Sequence, residues 1–187
     1  MITTQENKLI YTFNQETVLI EPWDKNAIRV RAIKQAAFPE ENWALTQPCG
    51  HTAAITQTER YAQMENGNLT ARITSGGKLT VYNSRGEKLL EEYARNRRDV
   101  LDPKCSAIEV EAREFRPIPG GDYHLTARFE SLDPNEKIFG MGQYQQPHLN
   151  LKGTDLELAH RNSQASVPFL LSSLGYGLLW NNPAIGR

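Results

Sequence analysis

Apolar and polar residues alternate with period two along most of this chain. Leu69, Ala71 and Ile73 interleave with Thr70, Arg72 and Thr74, and Leu79 and Val81 with Thr80 and Tyr82. The pattern recurs in Ile108 and Val110 against Glu109 and Glu111, and in Tyr123, Leu125, Ala127 and Phe129 against His124, Thr126, Arg128 and Glu130. Nearer the start, Ile28, Val30 and Ala32 alternate with Arg29 and Arg31. Side chains on a strand point to opposite faces in turn, so each segment predicts a strand with one core face and one wet face.

Turn residues fall between these segments. Asn66-Gly67 predicts a tight hairpin with a type I′ turn, whose two central residues both need positive φ. Ser75-Gly76-Gly77 and Ser84-Arg85-Gly86 follow at the spacing of an antiparallel meander, and Pro119-Gly120-Gly121-Asp122 marks a further reversal. Two apolar runs near the end, Val167 to Leu171 and Tyr176 to Trp180, read as adjacent strands buried on both faces. Helical signals are few. Pro39-Glu40-Glu41-Asn42-Trp43 fits one helical turn. Residues 89–95 fit either an apolar helical stripe or a strand ending near Glu92 and then a polar loop. Many short strands with glycine-rich turns predict an all-β, antiparallel β-sandwich or barrel. No repeat, linker or internal boundary is visible, so residues 1–187 are expected to form a single domain.

Charge narrows the partners. Twenty-one basic against 22 acidic residues leave a net charge of −1, and nucleic acids and anionic membranes both recruit cationic surfaces. Neither nucleic acid nor membrane is therefore expected. The uncharged stretch from Asn162 to Gly186 is broken by Pro168, Gly175, Gly177 and Pro183, which argues against a membrane span. The first residues carry no basic n-region or apolar h-region, and Cys49 and Cys105 make no disulfide framework. Reduced thiols and a cytoplasmic location are the expectation.

Motifs for catalysis are missing from the residues themselves. There is no Gly-x-Ser-x-Gly elbow, and Gly140-Met141-Gly142 lacks the third glycine of a dinucleotide fingerprint. His51, His124, His148 and His160 lack metal-ligand spacing, so no metal or other cofactor is expected. His124 reads as a solvated strand histidine. Asp155 and Glu157 could sit on one strand face, but nothing around them suggests the apolar pocket that raises a carboxylic acid's pKa. They read as an exposed face.

The last third carries an ordered series of motifs. Ile138-Phe139-Gly140-Met141-Gly142-Gln143-Tyr144 leads to Leu149-Asn150-Leu151-Lys152-Gly153 and then Arg161-Asn162-Ser163-Gln164. Val167-Pro168-Phe169-Leu170-Leu171-Ser172-Ser173 and Gly175-Tyr176-Gly177-Leu178-Leu179-Trp180-Asn181-Asn182-Pro183 complete it. The series, about fifty residues long, resembles the N-terminal β-sandwich domain of glycoside hydrolase family 31, the α-glucosidases and α-xylosidases. Upstream strands match that domain in architecture only. The resemblance implies a galactose-mutarotase-like sandwich packed on a (β/α)8 barrel, its carbohydrate substrate bound at the barrel mouth. In that family two barrel aspartates act as nucleophile and general acid/base in a retaining reaction. No barrel is present in this sequence. Its own catalytic residues are expected to be none, and the apolar ending is expected to continue into a longer polypeptide.

A loop before the Pro-Phe strand of the family reaches over the barrel mouth, where an Arg-Asp or similar pair touches the sugar. The matching residues here are Arg161 and Asn162, the amide standing where some relatives have an acid. Gln143 and Asn181 are further substrate-binding candidates. The alternative is a free-standing carbohydrate-binding or mutarotase-like sandwich, for which His124 and His160 are the plausible proton carriers.

Overall fold

The computed structural model describes every residue except Trp43, Cys49, His51 and Asp99. Its contacts divide the chain into two compact units, Met1–Leu132 and Asp133–Arg187. Among the described residues every regular element is a strand, and every pairing between strands is antiparallel. That bears out the all-β antiparallel expectation.

In the first unit, β1 (Ile2–Gln5), β2 (Lys8–Phe13), β3 (Glu16–Asp24) and β4 (Ala27–Lys34) form one meander. A second meander runs through β5 (Ala54–Gln57), β6 (Tyr61–Asn66), β7 (Leu69–Thr74), β8 (Leu79–Asn83) and β9 (Lys88–Glu91). One core joins them: Leu9, Tyr11, Val18 and Ile20 from the first sheet meet Ala62, Met64, Ala71, Ile73 and Leu79 from the second. These are the period-two positions of their strands, and each large apolar side chain buried there stabilises the unit by about 1.5–3 kcal/mol. A hairpin of β10 (Arg113–Pro117) and β11 (Tyr123–Ala127) completes the unit. Arg113 ties this hairpin to both sheets. It donates from Nε to Glu16 of β3 at 2.6 Å, pairs with Glu92, and donates from Nη2 to the Gly77 carbonyl at 2.9 Å. Burial opposes its charge, but Glu92 and Glu16 outweigh that and raise its pKa.

Several sequence expectations need correction. Residues 39–42 carry no helix, and Trp43 lies outside the described residues. The ambiguous stretch at 89–95 resolves as β9 followed by bridges from Glu92 to Phe129 and from Arg95 to Val110. The expected strand at 108–111 shrinks to that one bridge, with Ile108 exposed. At the β6–β7 hairpin, Asn66 is still paired, with Leu69, so Gly67-Asn68 form the two-residue loop. Only Gly67 has positive φ there, as a type II′ turn requires. Asn66 is instead used at long range, its amide donating to the carbonyls of Asp24 and Ala27 in the β3–β4 turn.

The second unit is a three-stranded sheet of β12 (Ile138–Gln143), β13 (Ala165–Ser172) and β14 (Gly177–Leu179), with β13 in the centre. The two apolar runs are neighbouring strands, as expected, but they are not buried on both faces. Val167, Phe169, Leu171 and Leu179 are all at least 40% exposed and share one face by register, Phe169 opposite Leu179.

Candidate functional site

The site begins with a bulge. Gly140, Met141 and Gly142 have successive positive φ values of 96, 67 and 104°, and the register with β13 shifts across them. A Cβ on Gly142 would lie 2.1 Å from the Ala165 carbonyl, and one on Gly140 2.6 Å from that of Phe169. The two glycines are thus required by close backbone approach as well as by conformation. Beyond the bulge the ladder resumes, pairing Gly142 with Ser166 and Gln143 with Ala165. Bulges of this kind re-aim a strand end.

Gln143 therefore lies where β13 starts. Immediately before β13, Arg161 and Gln164 exchange backbone hydrogen bonds around a reversal whose third residue, Ser163, has φ 69°. On the other side of β13, Trp180 N donates to Pro168 O at 2.8 Å, extending the ladder past β14 by one residue. Asn181 comes next. The topology thus gathers all four expected substrate-binding residues at one end of the sheet. Arg161, Asn162, Gln143 and Asn181 are all exposed there. Arg161 pairs with Glu157, four residues earlier, and a guanidinium in one such pair keeps further N–H donors. No side-chain hydrogen bond involves the amides of Gln143, Asn162 or Asn181 among the described residues, so each offers both a donor and an acceptor.

The segment leading into the reversal is tied to the strands by Tyr144, the residue after β12. Its hydroxyl donates to the Glu157 carbonyl at 3.1 Å and lies 2.7 Å from Ser166 Oγ. Ser166 N also donates to His160 Nδ1 at 3.4 Å. The opposite end of the sheet is locked differently. There the buried Glu136 accepts from Ser172 Oγ and from the Tyr176 hydroxyl, with Lys152 3.6 Å away. Burial and the hydrogen bond to Glu136 push Tyr176 up to about 12.

Asp155 and Glu157 are exposed, as expected, and each has an arginine partner, Arg187 and Arg161. The hydrogen bond from Arg187 holds the Asp155 carboxyl below its ordinary value, the wrong direction for a proton donor. His124 is exposed on β11 opposite Arg116, in keeping with a solvated strand histidine. His148 and His160 are exposed as well, and His51 lies outside the described residues. In the first unit a polar hollow is lined by Asn96, Arg97, Arg98, Ser106, Ala107 and Glu109, and there Arg98 and Glu109 bind each other at 3.0 Å.

Comparison with known proteins decides the family. Residues 17–186 match the model of the glycosyl hydrolase 31 N-terminal galactose mutarotase-like domain. The chain belongs to that family. Among relatives of this family 31 domain, an uncharacterized family 31 glucosidase of Pseudescherichia vulneris is 50% identical over 189 residues, covering 97% of this chain and 36% of that protein. Alpha-xylosidase A of Aspergillus niger is 29% identical over 194 residues, covering 92% of this chain and 25% of that protein. Among solved structures, a family 31 α-xylosidase from a soil metagenome, complexed with xylose, superposes with a TM-score of 0.93 at 47% identity, covering 100% of this chain and 28% of that one. The family 31 domain thus spans roughly a quarter to a third of the length of these relatives.

Sequence reasoning located the four polar residues through the motif series. It missed Tyr144, Ser166 and Glu157 as a group, because nothing local marks a hydroxyl whose partners lie 13 and 22 residues away.

Proposed function

We propose that this family 31 domain, residues 1–187 taken as one N-terminal domain, is the accessory part of a retaining α-glycosidase acting on α-xylosides or α-glucosides. In this reading a (β/α)8 barrel in the rest of the polypeptide supplies two catalytic aspartates. They act in turn as nucleophile and acid/base through a covalent glycosyl-enzyme intermediate. The domain itself supplies no catalytic carboxylate. Its part is to line the sugar pocket with Arg161 and Asn162, supported by Gln143 and Asn181.

One observation carries the proposal: the register that gathers these four polar residues also sets them beside an exposed apolar face. Gln143 is opposite Ala165, and Ala165 lies on the same face as Val167, Phe169 and Leu171. Apolar faces of this kind mark interaction surfaces. A polar edge at the margin of such a surface can meet a small polar ligand bound in the covering body. Arg161 donates to sugar hydroxyls, and the Asn162 amide both donates and accepts. The relatives named above, an α-xylosidase holding xylose among them, support the substrate class. A cytoplasmic setting belongs to the same proposal, and the free, exposed Cys105 thiol agrees with it.

The test is steady-state hydrolysis of aryl α-xylosides and α-glucosides by the full-length protein. Arg161→Ala and Asn162→Ala are each expected to raise KM about tenfold, as loss of a hydrogen bond of ~1.4 kcal/mol implies. Unchanged KM in both variants refutes the sugar contact, and a full-length protein inactive on both substrate types refutes the hydrolase. Faster anomer equilibration by residues 1–187 alone, followed by polarimetry, would instead favour the free-standing mutarotase-like reading.

A further inference from the structure

We infer that Tyr144 is a positioning residue for the sugar-contacting turn, a claim that rests on the reading of Arg161 and Asn162 just given. The turn at 161–164 has two stems. The incoming stem contains Glu157 and the outgoing one contains Ser166, the second residue of β13. Between the stems the backbone pairing is limited to Arg161 with Gln164, at 3.1 and 3.4 Å. The incoming stem is also held by a backbone bridge from Leu158 to Gly186, and Ser166 N of the outgoing stem donates to His160 Nδ1 at 3.4 Å, so side chains carry much of the link between the two stems.

Tyr144 supplies the cross-brace. Its one hydroxyl reaches the Glu157 carbonyl on the incoming stem and Ser166 Oγ on the outgoing stem, at 3.1 and 2.7 Å. Glu157 in turn pairs with Arg161. Fixing the Glu157 backbone therefore narrows the positions its carboxylate, and with it the Arg161 guanidinium, can take. The brace begins at the Gly140-Met141-Gly142 bulge, whose positive φ values turn the end of β12. Removing the hydroxyl deletes no apolar contact, and the groups it leaves behind lie near solvent, so the cost to folding is small. What is lost is the preorganisation of Arg161 and Asn162, and a looser contact binds sugar more weakly.

The test compares KM, kcat and melting temperature of the full-length protein on an aryl α-xyloside. Tyr144→Phe is expected to raise KM about fivefold, with kcat and melting temperature unchanged, because ground-state binding alone is weakened. In a background carrying Arg161→Ala and Asn162→Ala together, Tyr144→Phe is expected to add nothing, since the groups it positions are gone. Ser166→Ala removes the other end of the brace and is expected to reproduce the KM rise, which keeps the test alive should Tyr144→Phe fold poorly. A Tyr144→Phe effect that persists in the double-alanine background overturns the positioning role and leaves the sugar contact standing. So does a silent Tyr144→Phe alongside a responsive Arg161→Ala. If the double-alanine protein itself keeps the parent KM, the sugar contact fails and the positioning role fails with it.

Discussion

Asn66 is held to 4% exposure at the end of β6, and both of its amide hydrogens are committed to carbonyls of the β3–β4 turn, at 2.6 and 2.8 Å. Gly67 beside it sits so close to that turn that a Cβ would come 2.0 Å from the Lys25 carbonyl, at a φ of 59°. The two residues together dock one hairpin on another. Asn66→Ala removes both of these part-buried hydrogen bonds and is expected to destabilise the first unit by about 1–3 kcal/mol, read from urea unfolding. Gly67→Ala adds a backbone clash to an unfavourable φ and is expected to cost more than Asn66→Ala in the same titration. Equal or smaller loss in the glycine variant would mean that the hairpins are not in register here. Asn-Gly was legible as a hairpin, yet its turn lies one residue further on than the dipeptide suggests. Local preference favours both residues in the loop, and the contact to the β3–β4 turn, 39 to 42 residues away in sequence, takes Asn66 back into the strand.

Strands were legible wherever one face met water, because alternation is then written into the residues. β4, β7, β8 and β11 all appear where the pattern put them, but the faces are not all as expected: Val30 of β4 is exposed and Thr80 of β8 is buried. The stretch at 108–111 alternates just as well but makes only a bridge, since Val110 finds Arg95 alone as a partner. Alternation reports which face an element would bury and is silent about whether a neighbour comes to bury it. Ion pairing between elements is equally hidden. Glu91, at the end of β9 and 2% exposed, gathers Lys78, Lys88 and Lys104, while Lys104 and Arg95 share Glu130. Burial alone would push Glu91 up, but its hydrogen bonds from Lys88 and Lys104 prevail and hold it below its ordinary value of 4.5. Glu130 is likewise lowered, with Arg95 and Lys104 overcoming its burial. Carboxylates lowered by folding stabilise the native state above their unfolded pKa, and that contribution fades as pH falls from about 4.5 through the lowered folded values. Acid unfolding, followed by tryptophan fluorescence, should therefore set in as pH falls through that range. Lys104→Met raises both folded pKa values toward ordinary and is expected to move the acid midpoint to higher pH. A midpoint that stays put would remove Lys104 from the network.

At the scale of the molecule, one sheet of the second unit joins a polar end to an oily face. Val167, Phe169, Leu171 and Leu179 expose 52, 40, 49 and 41% of their surface along that face. The sequence made these strands readable as core, and the motif series named the family, because both signals are carried by residue type. These four side chains are exposed among the described residues, so the expectation of burial on both faces is not met. The relatives are three to four times as long as the stretch they share with this domain, and under the proposed function the face lies against that remaining length. Leu171→Ser discriminates, since its effect depends on what touches the face. In residues 1–187 alone, an exposed leucine has little to lose, so the melting temperature should hold and self-association, measured by sedimentation velocity, should decrease. In the full-length protein the same substitution removes a buried side chain and should cost about 2–4 kcal/mol in denaturant unfolding. A serine tolerated equally well in both would mean that the face stays wet in the whole protein, and the polar end beside it would then have no covering body in which to meet a sugar.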